Sequence, residues 1–96
     1  MRMGSESEVT SLQATMRWLL EWIGEHGRMP DLPHEKLLTA NYVDGGWIDS
    51  FTIISLIEES EAKFSMRYSQ DNFQDPRFMT IRGLAEIIGE IKESCS

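Results

Sequence analysis

The sequence predicts an all-α protein, built as one bundle of three or four helices. Three segments of the 96-residue chain repeat apolar residues in steps of three and four, which is the spacing of one helix face. No segment alternates polar and apolar residues over the length of a half-buried strand. Ninety-six residues support one hydrophobic core rather than two. We therefore expect a flexible N-terminus at 1–7, a single domain at 8–93 and a short tail at 94–96.

The first helix is predicted at about residues 8–25. Gly24 or Gly27 suits its end, because glycine commonly follows the last helical turn. Its apolar residues fall on one stripe, which we expect to face the core. The stripe consists of Val9, Leu12, Met16, Leu19 and Ile23.

A long connection follows at about residues 26–48. Its glycines and prolines favour turns, so we expect at most a short helical turn around His34–Leu38. A connection of this length is unusual in a compact domain and is often functional. Several apolar side chains are expected to attach it to the core. They are Leu37, Leu38, Tyr42, Val43, Trp47 and Ile48.

A second long helix is predicted at about residues 50–64, capped by Asp49 or Ser50. At 100° per residue this helix has two distinct faces. The predicted core face consists of Ile53, Ile57 and Phe64, with Leu56 beside it. The predicted outer face consists of Phe51, Ser55, Glu58 and Ala62.

Two more helices complete the prediction. A helix of one or two turns fits residues 71–75, because Pro76 disfavours helical backbone in the residue before it. The last helix is predicted at about 80–93, with Thr80 as its cap. Its apolar stripe consists of Ile81, Leu84, Ile87, Ile88 and Ile91.

Composition excludes several classes of function. Sixteen acidic and nine basic side chains give a net charge of −7, which disfavours nucleic-acid binding and favours basic protein partners. Cys95 is the only cysteine, so neither an internal disulfide nor a multi-cysteine zinc site is expected, and we predict no metal site. There is no apolar run of membrane-spanning length and no apolar stretch of the signal-peptide type. We expect a cytoplasmic protein without membrane insertion.

The segment Gly45-Gly46-Trp47-Ile48-Asp49-Ser50-Phe51 carries the most chemical information. A serine at the start of a helix lies beside unpaired backbone N–H groups, which attract anions. A phosphodiester attached to Ser50 would be exposed there, and the helix dipole would tolerate its charge. Asp-Ser before an apolar run is also an ordinary helix cap, and by itself the pair indicates no more than that.

The wider pattern resembles the acyl carrier proteins. It comprises Gly46-Trp47-Ile48-Asp49-Ser50-Phe51, the acidic stretch Leu56–Phe64, and Phe78-Met79-Thr80-Ile81, which is similar to the start of that family's last helix. The recognisable motifs cover residues 42–91. The resemblance implies a four-helix bundle of acyl-carrier type, with a long loop between its first two helices and a short third helix.

The resemblance also implies a function. A phosphopantetheinyl transferase would move 4′-phosphopantetheine from coenzyme A onto the hydroxyl of Ser50, and Asp49 would help the transferase recognise the site. The thiol of this arm would hold acyl groups as thioesters and present them to acyl-loading and acyl-transferring enzymes. Such a carrier has no catalytic residues of its own and is expected to be a monomer.

Partners in this family carry basic patches that meet the acidic helix after the serine. Some positions depart from the commoner family residues, such as Phe51 in place of Leu and Ser55 in place of an acid. The departures imply a specialised carrier, in a lipid, polyketide or surface-modification pathway, rather than a housekeeping one. The residues expected to contact partners are Phe51, Ser55, Glu58, Glu59, Glu61 and Ala62.

Two other functions stay open. The domain is alternatively an unmodified helical interaction module that binds a basic partner surface through the helix at 50–64. A small serine hydrolase would need a general base within hydrogen-bond reach of Ser50. His26 and His34 are the two histidines, and both lie far from Ser50 in the sequence.

Overall fold

The computed structural model of the chain describes residues 4–95, with side chains described from 12 to 93. Over residues 4–95 the chain forms five α-helices and one 3₁₀ turn, and no strand, which confirms the all-α prediction. In chain order these are α1 (Gly4–His26), α2 (His34–Thr39), α3 (Ser50–Phe64), α4 (Gln70–Gln74), the 3₁₀ turn Pro76–Met79 and α5 (Ile81–Cys95).

Helix α1 begins earlier than the sequence indicated. It starts at Gly4, before the predicted start at about residue 8, and residues 1–3 lie outside the described part. No proline interrupts this stretch, and its acidic residues suit the positive end of a helix. The helix ends at His26, and the following N–H of Gly27 donates to the carbonyl oxygen of Ile23 at 2.7 Å.

The core lies where α1, α3 and α5 meet. The apolar stripes of α1 and α5 face it as predicted, although the side chain of Val9 is outside the described range. Tyr42, Trp47 and Ile48 attach the long connection to this core, also as predicted. The largest fully buried side chains are Leu19, Ile23, Tyr42, Leu56, Ser60, Ile81, Leu84, Ile87 and Ile88.

Helix α3 has the predicted bounds, but its core face is centred differently. Leu56 is 1% exposed and Ser60 is fully buried, whereas the predicted core residues are half-buried at the edge of the core. Ser60 tolerates burial because its hydroxyl donates to the carbonyl oxygen of Ile57 at 3.1 Å and lies 2.7 Å from the hydroxyl of Tyr68. The half-buried residues are Ile53, Ile57 and Phe64.

The segment after α3 contains a 3₁₀ turn that the sequence did not predict. Helix α4 covers Gln70–Gln74, one residue earlier than expected. Pro76 then starts the 3₁₀ turn, because a first helical position needs no N–H donor. The N–H of Arg77 is instead satisfied by Asp75 Oδ1 at 2.9 Å.

Helix α5 is capped as predicted. The N–H of Gly83 donates to Thr80 Oγ1 at 2.9 Å. The absence of a side chain at Gly83 lets α5 pack directly on the backbone of Arg77 in the 3₁₀ turn. The helix runs to Cys95, two residues beyond its predicted end, and the side chain of Cys95 lies outside the described range.

Candidate functional site

The turn before α3 is organised by one asparagine. Asn41 Oδ1 accepts hydrogen bonds from the N–H groups of Val43, at 2.9 Å, and Asp44, at 2.8 Å. The chain then reverses at Gly46, whose φ of +72° lies in the left-handed region that favours glycine. This turn brings the backbone back toward the core just before the helix begins.

Two buried side chains then fix the direction of the chain. Trp47 and Ile48 are each 5% exposed. The backbone of Trp47 is held on both sides, because its N–H donates to the Tyr42 carbonyl at 3.1 Å and its carbonyl accepts from Arg28 N–H at 2.7 Å. A Cβ atom at Gly45 would lie 2.6 Å from Trp47 Nε1, so the indole packs directly over this glycine. The residues that follow therefore leave the core from a well-anchored point.

Asp49 is the N-terminal cap of α3. The sequence predicted either Asp49 or Ser50 for this position. Its backbone is extended, with φ −90° and ψ 176°, and its Oδ1 accepts from the N–H of Thr52 at 2.8 Å. The hydrogen bond from the Thr52 amide lowers the pKa of the Asp49 carboxyl below its ordinary value of 3.8. Asp49 is therefore ionised at neutral pH, and its exposed carboxylate leaves a charge at the surface.

Ser50 is the first residue of α3 and is exposed. Its hydroxyl makes no hydrogen bond to any residue whose side chain or backbone is described. The positive end of the helix dipole lies beside it and favours an anion there, where the Asp49 carboxylate already accepts from the N–H of Thr52. The geometry therefore offers an accessible hydroxyl that no neighbouring base activates, next to a position that suits a phosphate group.

Neither histidine forms a hydrogen bond with Ser50. His26 stacks on Trp22, with ring centroids 4.0 Å apart, and its Nδ1–H donates to the Trp22 carbonyl oxygen at 2.9 Å. His34 lines a surface groove of about 920 Å³ together with Phe64, at the far end of α3.

The exposed face of α3 carries an apolar cluster next to Ser50. Phe51 is 81% exposed and Ile54 is 54% exposed, which makes them the two most exposed large apolar side chains in the described part. Glu58 and Ala62 are exposed on the same face, and Ser55 is half-buried. The sequence interpretation did not select Ile54 for this face, although its position three residues after Phe51 was a signal for it.

Two of the three glutamates expected to contact partners have contacts within the protein. Glu59 Oε1 accepts from the indole N–H of Trp22 at 2.9 Å, and Trp22 is only 4% exposed. Glu61 is half-buried, and its Oε2 accepts from the backbone N–H of Tyr68 at 3.1 Å. Glu58 forms no hydrogen bond or ion pair with any residue whose side chain is described.

Neither a metal-ligand cluster nor a membrane-spanning helix occurs in the described part of the chain. They contain no group of three or more His, Cys, Asp or Glu side chains that could hold a metal ion. Within the same part of the chain, no helix is both long and apolar enough to cross a membrane. No protein-family model, curated protein or solved structure matches the chain.

Proposed function

We propose that this protein is a specialised acyl carrier protein, which bears a 4′-phosphopantetheine arm on Ser50. The observation that carries the proposal is the position of Ser50, exposed at the first residue of α3 directly after the Asp49 cap. The anchored segment before it supports the same conclusion, because Trp47 and Ile48 hold the attachment point steady at the surface.

The arrangement of helices is compatible with a bundle of acyl-carrier type. Three long helices, α1, α3 and α5, surround the core. In chain order, the short α4 follows α3 and precedes α5. The connection from α1 to α3 covers residues 27–49 and contains α2 as an additional short helix. In this assignment, α3 is the helix that begins with the modified serine.

The residues present fit the attachment reaction. Ser50 Oγ would form a bond to the phosphorus that bears the pantetheine, while the pyrophosphate bond of coenzyme A breaks and adenosine 3′,5′-bisphosphate leaves. The hydroxyl proton would pass to a base of the transferase, because no described residue forms a hydrogen bond with the Ser50 hydroxyl. The N–H groups of the first turn of α3 would stabilise the new phosphodiester charge.

The arm would supply the thiol that holds the acyl group. The chain itself contributes position and recognition. Asp49 closes the first turn of α3 and presents a carboxylate beside the hydroxyl, which suits recognition by a transferase that binds its substrate through a metal ion. The exposed face of α3 would be the docking surface for the transferase and for the acyl-loading and acyl-transferring enzymes.

The alternative is an interaction module that uses the same face without an arm. The exposure of Phe51 and Ile54 favours it as a second candidate, because exposed apolar side chains often mark protein interfaces. The two functions differ in whether Ser50 is needed. Replacement of Ser50 by alanine would abolish a carrier and would leave an interaction module active.

The decisive experiment is mass spectrometry after incubation with coenzyme A, Mg²⁺ and a broad-specificity phosphopantetheinyl transferase. We expect the wild-type mass to increase by one phosphopantetheinyl group. Ser50→Ala should remain unmodified, and the control Thr39→Ala, which removes an exposed hydroxyl in α2, should be modified like the wild type. An unchanged wild-type mass with several transferases would overturn the proposal, and so would continued modification of Ser50→Ala.

A further inference from the structure

The end of α1 packs directly on the backbone of the segment before α3. The N–H of Arg28 donates to the carbonyl oxygen of Trp47 at 2.7 Å. A Cβ atom at Gly27 would overlap this oxygen and would lie 2.6 Å from Ile48 Cγ2. Protein interiors are close-packed, so a larger side chain at residue 27 would force the two segments apart.

Gly27 is needed for this close approach rather than for an unusual backbone conformation. Among the glycines from residue 24 to residue 89, only Gly46 has a positive φ. The N–H of Gly27 donates to the carbonyl oxygen of Ile23 at 2.7 Å, and Ile23 is fully buried in the core. Gly27 is therefore held by the last turn of α1, and its contact passes the position of α1 to Trp47.

The indole of Trp47 is confined by a second glycine. A Cβ atom at Gly45 would lie 2.6 Å from Nε1 and 2.9 Å from Cδ1 of the Trp47 ring, and Trp47 is only 5% exposed. The backbone of Trp47 thus lies against Gly27, and its ring lies against Gly45. A methyl group added at either glycine would displace Trp47, because overpacking shifts the backbone or drives side chains from their preferred rotamers.

We propose that the C-terminal end of α1 positions the Ser50 hydroxyl for arm attachment, through the contact of Gly27 with Trp47. This inference rests on the proposed carrier function and adds a positioning residue to it. Ser50 follows Trp47 by three residues and is the first residue of α3, so a displaced Trp47 carbonyl moves the attachment point. A misplacement of about 1 Å can slow a reaction about a hundredfold.

The experiment compares glycine variants in the kinetics of arm attachment. Mass spectrometry follows the reaction with coenzyme A, Mg²⁺ and a phosphopantetheinyl transferase, at a temperature where circular dichroism shows every variant to be folded. Gly27→Ala should lower kcat by about tenfold to a hundredfold. Its KM should change less than about threefold, because the exposed side chains of α3 are unaltered.

Two other glycines provide matched controls. Gly24→Ala adds the same methyl group three residues earlier in the chain, where it would first meet Met29 Cε at 4.0 Å, and should leave kcat unchanged. Gly83→Ala forces a Cβ atom onto the backbone of Arg77 and should lower the thermal midpoint by about 5–10 °C without lowering kcat. This second control separates the positioning of Ser50 from a general loss of stability.

A structural measurement tests the positioning without the arm. In NMR spectra of the ¹⁵N-labelled protein, the backbone N–H signal of Ser50 should shift in Gly27→Ala and keep its wild-type position in Gly24→Ala. Gly45→Ala is the second variant if Gly27→Ala does not fold. It presses on the Trp47 ring instead of the carbonyl, and should lower kcat by about threefold to tenfold.

The outcomes distinguish this inference from the carrier function. A wild-type kcat in folded Gly27→Ala, an unshifted Ser50 signal, or an equal loss of kcat in Gly83→Ala would overturn the inference while modification of the wild type upheld the carrier function. If Gly27→Ala does not fold, a wild-type kcat in Gly45→Ala would overturn the inference in the same way. Failure of the wild type to accept the arm would overturn the carrier function, and the Ser50 signal would then decide the positioning by itself.

Discussion

The two ends of α3 differ in how many of their side chains form hydrogen bonds with other segments of the protein. At the N-terminal end, Ser50, Phe51 and Ile54 are exposed. At the C-terminal end, Glu59 and Ser60 form hydrogen bonds to residues of other segments, Trp22 in α1 and Tyr68 after α3. The same helix therefore has a free end and an attached end.

This difference separates exposed side chains from side chains that stabilise the fold along a single helix. A surface that is to meet partners keeps side chains that the folded monomer does not need, and such positions accept substitution with little loss of stability. Side chains with buried partners are constrained, since their removal leaves groups without a hydrogen bond or opens a cavity. Paired substitutions at the two kinds of position test the comparison directly.

The largest expected effect is on stability in the middle of α3. Leu56 is 1% exposed, so Leu56→Ala should lower the free energy of unfolding by about 2–5 kcal/mol through lost burial and a residual cavity. Phe51→Ala, on the outer face of the same helix, should change it by less than about 0.5 kcal/mol, because the ring is already in water. Urea unfolding followed by circular dichroism measures both values.

A control for helix propensity is included in this pair, since both variants introduce alanine into α3. The comparison would be wrong if Phe51→Ala were as destabilising as Leu56→Ala. That result would mean that the phenyl ring packs on the fold in solution and is not available to a partner.

The second prediction concerns the three glutamates. Glu59→Ala should lower the free energy of unfolding by about 1–2 kcal/mol, because the N–H of the buried Trp22 loses a charged acceptor. Glu59→Gln should cost less, since its amide oxygen still accepts from the indole. Urea unfolding with tryptophan fluorescence as the probe reports both the stability and the surroundings of the indoles.

Glu58→Ala is the matched control, as a neighbouring exposed acid with no hydrogen bond to the side chains described. It should change the free energy of unfolding by less than about 0.5 kcal/mol. Equal effects of Glu58→Ala and Glu59→Ala would contradict the division of α3 into a free and an attached part.

Local signals explain what could be predicted from the sequence. The bounds of α3 and the stripe of α5 follow from apolar spacing and from short-range caps, since Asp49 and Thr80 each bond an N–H three residues later. The Asp49 cap and the exposure of Ser50 could be predicted for the same reason. The attachment of an arm to Ser50 stays a prediction, because it depends on another enzyme.

Features that depend on distant residues could not be predicted in this way. The inward contact of Glu59 joins residues 37 positions apart, and no local pattern indicates it. Ser60 is buried because Tyr68 returns to its hydroxyl, so the core face of α3 is centred where a polar residue stands. The apolar spacing alone pointed to Ile53 and Ile57 as the centre of this face.

The smallest predicted effect is a pH dependence at the free end of α3. The pKa of Asp49 is lower in the folded protein than its ordinary value of 3.8, so the carboxylate stabilises the fold above that value. This stabilisation should be constant above about pH 5 and should be lost as the pH falls through the lowered pKa of the folded state. Asp49→Asn keeps a good helix cap without the titrating group, so the difference in unfolding free energy between wild type and Asp49→Asn isolates the effect.

Urea unfolding at a series of pH values, from neutral to acid, measures that difference. It should shrink as the solution is acidified below 3.8, and Asp44→Asn controls for the loss of one negative charge in the neighbouring turn. A difference that grew on acidification would reverse the expected sign, and would mean that the Asp49 carboxylate destabilises the start of α3.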